Sequence, residues 1–390
     1  MRSASVSFAI QTHPARLAQA RDLRARLAPF DARLAVDPEP DGPRTANRSA
    51  RLAFATASTE HTHHVVLQDD VSIADGFADA ARWAARLYPD AVVSFFVNWS
   101  AANSTLARWA ALTRAAAVPV IETYVPTQAV LLPGQLSLAF ADYLGADDFR
   151  GWEDDNALLR FAREVGAPTL ILVPNLVEHT DAASLVGNGW KGARRSVCVL
   201  PEPMVNERTR VLDVPAMVPF VEMAHNAAVT LDVHPYGDGD RRDTVSVLGD
   251  WGAGEDELWD ASRAALADLP AAQPILDRID EKHRFLVWVT AAAMGAIQAT
   301  LWPGSAAALP YRLADPVFAR ALRTLAPGAL RRVVDPEFLI AHADYLAVLA
   351  VHGMAYGAEV IRPDFADIRP ARSDFYRPDA AGLAPAPAAI

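Results

Sequence analysis

Short apolar segments alternate with longer, mixed segments through the first half of the chain. The apolar segments are rich in β-branched residues and end at turn-forming residues, which is typical of buried strands. The mixed segments repeat their apolar positions with the period of a helix. This pattern predicts strands at residues 6–10, 32–36, 65–67, 91–97, 118–125 and 169–173. It predicts helices at residues 15–27, 46–57, 74–87, 106–116, 136–144 and 154–165.

Strands that alternate with helices form βαβ units with a parallel sheet and right-handed crossovers. The predicted fold class is therefore α/β, with a Rossmann-like, mostly parallel sheet flanked by helices. Ligands of such sheets bind at the carboxyl ends of the strands. Residues 11–16, Asp37 and the pair Asp69 and Asp70 all follow predicted strands, so we expect them at this edge of the sheet.

After about residue 195 the pattern changes to alanine-rich segments that resemble helices. These segments cover residues 214–228, 255–267, 285–299, 316–325 and 336–356, and residues 229–233 alone have the pattern of a strand. We therefore predict an α/β domain over residues 1–195 and a mostly α-helical C-terminal domain over residues 196–376. The Pro/Ala-rich tail, residues 377–390, is predicted to be disordered.

Composition narrows the functional classes. The 390 residues are 52% hydrophobic and 21% charged, as in ordinary globular proteins. The net charge of −11 argues against nucleic-acid binding, because phosphate backbones require a basic surface. One cysteine, Cys198, excludes an internal disulfide and a cysteine-based zinc site. We see no apolar run of membrane-spanning length and no signal-peptide core, so we expect a cytoplasmic protein without a transmembrane segment.

The most informative motif lies at the end of the predicted strand 65–67, where Gln68 is followed by Asp69 and Asp70. A strand end holds its side chains rigidly, and two adjacent carboxylates are hard oxygen ligands that suit Mg²⁺ or Mn²⁺. The alternative interpretation is a solvated Asp-Asp turn without a ligand.

A second acidic cluster, Glu153, Asp154 and Asp155, lies at the start of the predicted helix 154–165. Three consecutive carboxylates are tolerated at a helix N-terminus, whose dipole favours negative charge. The cluster is therefore either a capping turn or the source of a general base whose pKa its neighbours raise. A third polar segment, residues 173–180, follows the predicted strand 169–173 and contains His179, which is either a structural histidine or a metal ligand.

These three segments, in this order, resemble nucleotide-sugar glycosyltransferases of the A-type fold. Gln68-Asp69-Asp70 resembles the Asp-x-Asp metal motif of that family in its Glu-Asp-Asp form, found in bacterial lipopolysaccharide-type transferases. Residues 151–155 are similar to the Gly-x-Glu-Asp-Asp segment of β-1,4-galactosyltransferase-like enzymes. The resemblance covers the first half of the chain, and Gln68 departs from it because the family has an acidic residue there.

The resemblance implies a metal-assisted, inverting transfer of a sugar from a nucleoside diphosphate sugar to an acceptor hydroxyl. Asp69, Asp70 and His179 would hold Mn²⁺ or Mg²⁺, and Asp154, with Asp155 as the competing choice, would be the base. The remaining implied positions lie on the nucleotide side of the site: Thr12, Pro14, Arg16, Asp37, Arg44, Arg48, Gln68 and Asp69. Trp152 would stack on a sugar or lie in the core. The acceptor, a glycan, lipid carrier, peptide or small metabolite, is left open.

Other functions remain open at this stage. A nucleotidyltransferase that makes sugar nucleotides would share the sheet and the carboxylates, but residues 11–16 lack the glycine-rich loop of that class. A catalytically silent nucleotide-sugar-binding protein is compatible with Gln68. A metallohydrolase would use His61, His63 and His64 with the aspartates. The helical second half would recognise the acceptor, form a homodimer interface or cover the sheet.

Overall fold

The computed structural model describes residues 4–146, 153–180, 192–202, 208–234, 239–267, 269–304 and 309–370. Within this part of the chain the strands, in order, are β1 Val6–Thr12, β2 Ala32–Val36, β3 His63–Gln68, β4 Val71–Ile73, β5 Val92–Ser94, β6 Ala117–Pro119, β7 Ala129–Pro133, β8 Thr169–Leu172, β9 Val177–His179, β10 Met217–Glu222, β11 Ala227–Asp232 and β12 Arg241–Asp243.

The first ten helices are α1 Leu17–Arg26, α2 Asn47–Ala55, α3 Phe77–Leu87, α4 Ala102–Thr113, α5 Gly134–Leu144, α6 Asp154–Glu164, α7 Thr244–Asp250, α8 Glu255–Leu266, α9 Gln273–Leu276 and α10 Glu281–Leu301. They are followed by α11 Leu309–Arg312, α12 Pro316–Arg323, α13 Leu325–Leu330, α14 Pro336–Ala341, α15 Ala343–Val360 and α16 Phe365–Ile368. A short 3₁₀ helix, Pro14–Arg16, links β1 to α1.

The central sheet of the described residues has seven strands in the order β2-β1-β3-β7-β5-β8-β6. Strands β1, β2 and β3 pair in parallel, as do β5 and β8, whereas β7 and β6 run antiparallel to their neighbours. Five strands therefore share one direction, and the α/β, mostly parallel sheet that the sequence predicts is confirmed. The arrangement is compatible with a Rossmann-like fold.

Helices cover both faces of this sheet. Successive side chains of a strand point to opposite faces, and Phe8 and Ile10 lie in one apolar cluster while Ala9 lies in another. Helices α1 and α3 contribute to the cluster of Phe8, whereas α2, α4, α5 and α6 contribute to that of Ala9. The polar loops are therefore confined to the ends of the strands.

The second half differs from the predicted helical pattern. Residues 214–228 were predicted to be a helix, but β10 and β11 form an antiparallel pair here, and Asn226 takes a positive φ of 50° in the turn between them. Pro219, in the middle of β10, explains the error, because proline breaks a helix interior but is tolerated on an edge strand. The predicted strand at residues 229–233 is confirmed as β11. Helices α7–α16 follow.

The chain on both sides of residue 195 shares one apolar cluster. The side chain of Trp109, on α4, is buried and its Nε1 donates to the carbonyl of Met294 on α10, at 3.3 Å. Thr105 Oγ1 donates to the Pro219 carbonyl on β10, at 2.6 Å. The β10-β11-β12 sheet and α10 therefore pack against α4. The domain boundary near residue 195 stays a prediction.

Helix α10 is long and apolar enough, by length and composition, to cross a membrane. The sequence pattern did not lead us to expect such a segment. Of its most apolar 18-residue window, 72% is buried inside the protein, which is also typical of a core helix.

Candidate functional site

A polar cavity of about 370 Å³ opens at the carboxyl ends of β1, β2 and β3. This volume is in the range of small-molecule sites. Gln11 pairs with both Ala35 of β2 and Gln68 of β3, so the three strands end at the same level. Their loops then meet at one edge, which is where open α/β sheets bind ligands. Thr127 and Gln128, before β7, line the cavity from the same edge.

Asp69 and Asp70 lie side by side in this cavity and share one cation. Nη1 of Arg16 donates to Asp69 Oδ1 and to Asp70 Oδ2, at 3.0 Å in each case. The second oxygen of Asp69 accepts from Thr12 Oγ1 at 2.7 Å and from the His13 amide at 3.2 Å. Burial raises the pKa of Asp69, and the hydrogen bonds from Thr12 and Arg16 oppose that rise.

Asp70 is held more strongly in its charged form. Burial favours the neutral acid, but the neighbouring His179 and Arg16 outweigh it and lower the pKa of Asp70 to about 2. Nε2 of His179 lies 3.4 Å from Asp70 Oδ2 and 3.0 Å from Nη2 of Arg194. Asp70 Oδ1 is buried and accepts no hydrogen bond within the described part of the chain.

The loop after β2 forms the opposite wall. Asp37 accepts two hydrogen bonds of 2.9 Å from Arg48, on α2. Burial raises the pKa of Asp37, but the bonds from Arg48 and from the Glu39 amide lower it further than burial raises it. Arg48 also donates to the carbonyls of Glu39 and Pro43, so this pair fixes the loop. Arg44, from the same loop, is exposed at the cavity.

Asp154 differs from the other carboxylates of the cavity because it has no cation beside it among the described residues. It is the first residue of α6, its exposed fraction is 4%, and its Oδ2 accepts no hydrogen bond from any described group. Burial, together with the charge of Asp155, raises the pKa of Asp154 to about 7, although a hydrogen bond from Thr127 opposes this. Such a carboxyl group can accept a proton near neutral pH.

The predicted metal ligands do not fit a divalent cation in this arrangement. An ion that bridges Asp69 and Asp70 needs their oxygens at about 2.0–2.6 Å, but a guanidinium nitrogen occupies the position between them. The described residues contain no cluster of three or more His, Cys, Asp or Glu side chains that could hold a metal. The predicted Mn²⁺ or Mg²⁺ therefore has no set of ligands ready for it in the described segments.

The structure brings together most of the residues that the sequence singled out. Those that line the cavity are Thr12, Arg16, Asp37, Arg44, Arg48, Gln68, Asp69, Asp70, Asp154 and Asp155. Pro14 does not line it but begins the 3₁₀ helix that carries Arg16, and His179 lies behind Asp70. Residues 151 and 152, including Trp152, and residues 181–191 are outside the described residues.

Two contributors were missed by the sequence analysis. Thr127 donates toward Asp154 and accepts from Gln68 Nε2 at 3.2 Å, but it precedes β7, a strand that was not predicted. Arg194, which contacts His179, comes from an irregular segment with no pattern of its own. The only signal that marked Thr127 is its place in a polar pair, with Gln128, before an apolar run.

The histidines of the metallohydrolase alternative lie at the other end of β3. His64 bonds Ser7 Oγ at 2.8 Å and the Ala53 carbonyl at 3.1 Å, and His63 bonds the Pro89 carbonyl at 2.9 Å. From His64 to the end of β3 at Gln68 the strand rises by four residues, roughly 13 Å at the usual rise per residue, and Asp70 lies beyond that end. These histidines therefore stabilise the fold and do not join the aspartates.

Comparisons of the chain with protein-family models, with curated proteins and with solved structures give no match.

Proposed function

We propose that the protein is a glycosyltransferase that moves a sugar from a nucleoside diphosphate sugar to an acceptor hydroxyl. The observation that carries the proposal is Asp154, a buried carboxyl group with a pKa of about 7. It faces the same cavity as the polar ends of β1, β2 and β3. The cavity thus combines a polar binding surface with a group that can take a proton.

The residues of the cavity suit the parts of a sugar nucleotide. Carboxylates such as Asp69 accept hydrogen bonds from ribose or sugar hydroxyls, and Arg44 offers a guanidinium to a phosphate. The Asp37–Arg48 pair keeps the loop between them in place before a ligand binds. A preformed site of this kind loses little conformational entropy on binding.

The proposed reaction follows from these positions. The acceptor oxygen attacks the anomeric carbon while Asp154 takes the hydroxyl proton, so that a new C–O bond forms as the old one breaks. The electron pair of the bond to the diphosphate leaves with the nucleoside diphosphate. A base on the acceptor side favours inversion at the anomeric carbon. The A-type glycosyltransferase fold, which the order of the motifs suggests, is part of this proposal.

The silent binding protein and the nucleotidyltransferase are less well supported. A carboxyl group that is buried without a cation raises the energy of the folded protein, a cost that a general base in an active site accounts for directly. A nucleotidyltransferase attacks a phosphate and leaves the glycosidic bond intact. Its products therefore distinguish it from the proposed enzyme.

The direct test is to mix the protein with a panel of nucleoside diphosphate sugars. The melting temperature of the protein reports binding, and the release of nucleoside diphosphate reports cleavage of the donor. We expect the sugar nucleotides of one nucleobase to raise the melting temperature of the protein. We also expect these donors to be hydrolysed slowly in the absence of an acceptor. Arg44→Ala should weaken binding, whereas Arg24→Ala, an exposed arginine of α1, should not. Binding without any hydrolysis or transfer would favour the silent protein, and no binding by any member of the panel would refute the proposal.

A further inference from the structure

Arg16 lies where the resemblance would place a divalent cation. Its Nη1 is 3.0 Å from an oxygen of Asp69 and 3.0 Å from an oxygen of Asp70. We infer that Arg16 is the resident cation of this carboxylate pair, so that the protein binds its donor and transfers the sugar without a divalent metal. This inference rests on the proposed function for its catalytic part, but the occupancy of the site can be tested without it.

The contact of Arg16 with Asp69 and Asp70 is almost completely shielded from solvent. The side chains of Arg16, Asp69 and Asp70 have exposed fractions of 12%, 8% and 10%. Hydrogen bonds between charged groups are stronger than neutral ones, and removing one partner of a buried pair leaves an uncompensated charge. A divalent ion could enter between the carboxylates only after displacing the guanidinium from both of them.

The local backbone holds Arg16 in this position. Strand β1 ends at Thr12 and the chain turns at once into the 3₁₀ helix Pro14–Arg16. The ring of His13 accepts from the Ala15 amide at 3.2 Å, and the Arg16 amide donates to the His13 carbonyl at 2.8 Å. Pro14 fixes its own φ at the start of this turn. Arg16 therefore points at the end of β3 from a short, rigid connection.

The charges of the cavity indicate which side chain meets the phosphates of the donor. One guanidinium against two carboxylates leaves the trio with a net charge of −1, so the trio alone does not attract a diphosphate. Arg44 is exposed at the cavity, and no hydrogen bond or ion pair joins it to another described residue. Arg44 is therefore placed to meet the donor phosphates, while Arg16 keeps Asp69 and Asp70 charged and in place to bind hydroxyls.

The test is a titration of Mn²⁺ followed by electron paramagnetic resonance, which counts bound ions without any enzyme assay. Wild-type protein should bind no Mn²⁺ that depends on Asp70, alone or with nucleoside diphosphate. Arg16→Met removes the charge at nearly the same volume, so it should gain Mn²⁺ binding that depends on Asp70 and is at least about tenfold tighter than any residual binding by the wild type, because the ion no longer competes with two charge-assisted bonds. Arg16→Lys should still exclude the ion, and Arg21→Met, an exposed arginine of α1, should match the wild type.

The outcomes separate this inference from the proposed function. Mn²⁺ binding by the wild type that Asp70→Asn abolishes would overturn the inference, and this measurement stands even if Arg16→Met does not fold. Loss of nucleotide binding or of transfer in EDTA, restored by Mn²⁺, would overturn it as well. A protein that binds no sugar nucleotide but excludes Mn²⁺ would refute the proposed function and leave Arg16 as the cation of the pair.

Discussion

Asp154 and Asp155 are adjacent in the chain but differ in their surroundings, and this difference decides which of them is the base. Asp154 is buried, whereas Asp155 is partly exposed. Burial and the neighbouring charge of Asp155 raise the pKa of Asp154 to about 7. We predict that Asp154→Asn lowers transfer by about two to four orders of magnitude, the usual scale for loss of a general base. Donor binding, measured by calorimetry, should change little.

Asp155→Asn is the matched control for this prediction and should keep most of the activity. The wild-type rate should rise as the pH increases through about 7, because only the ionised form of Asp154 accepts a proton. If Asp155→Asn instead abolishes transfer, the choice within the pair is wrong. A rate that is flat between pH 6 and pH 8 would exclude Asp154 as the base.

The thermal stability of Asp154→Asn provides a readout that a purely structural residue would not give. Because the folded pKa of Asp154 is above its unfolded value, the unfolded state ionises first as the pH rises from about 4 to about 7. The free energy of unfolding therefore falls across this window. Asp154→Asn removes this loss, so its melting temperature at pH 8 should be higher than that of the wild type by at least about 2 °C. At pH 4 the two proteins should differ little.

At the scale of elements, helices α10 and α15 pack so closely that glycine is required at the contact. A Cβ at Gly357 would overlap the carbonyl of Ala292, and a Cβ at Gly295 would overlap that of Met354. We predict that Gly357→Ala destabilises the protein by about 1–3 kcal/mol, the scale of overpacking in a core. Urea unfolding measures this directly.

Gly249→Ala is the control for the packing argument. Gly249 lies on the exposed side of α7, and a Cβ there would have no atom within 4 Å. Alanine has the higher helix propensity, so this variant should be neutral or more stable by up to about 1 kcal/mol. Equal losses in both variants would mean that the contact of α10 with α15 does not require glycine.

The elements also show what the sequence could predict. Strand β3 and its two aspartates were predictable because a short apolar run rich in β-branched residues is followed, after Gln68, by two charges. Strand β7, Ala129–Pro133, was not, since a short apolar run before a helix has no period that distinguishes it from that helix. Of residues 118–125, predicted as one strand, only residues 118 and 119 belong to a strand, β6, which spans Ala117–Pro119. The contact of Arg16 with both aspartates depends on the direction of a long side chain, which periodicity does not encode.

At the scale of the whole molecule, the two halves of the chain are joined by polar contacts as well as by the core. Arg108, on α4, is almost completely buried and donates to the carbonyls of Ala321 and Trp99, at 3.0 and 2.8 Å. It also donates to the hydroxyl of Thr324, at 3.2 Å. Burial lowers the pKa of Arg108 to about 9. A buried cation of this kind is tolerated because groups from both halves solvate it.

We therefore predict that a chain ending at residue 195 does not fold. It would expose the side of α4 that carries Thr105, Arg108 and Trp109, whose partners lie on β10, α10 and α12. The sheet would also lose part of the cluster that covers one of its faces. The full-length protein should unfold in one calorimetric transition, whereas the shortened chain should lack near-ultraviolet circular dichroism and aggregate. A monomeric, folded fragment that still binds sugar nucleotide would contradict this and would support a separate domain over residues 1–195.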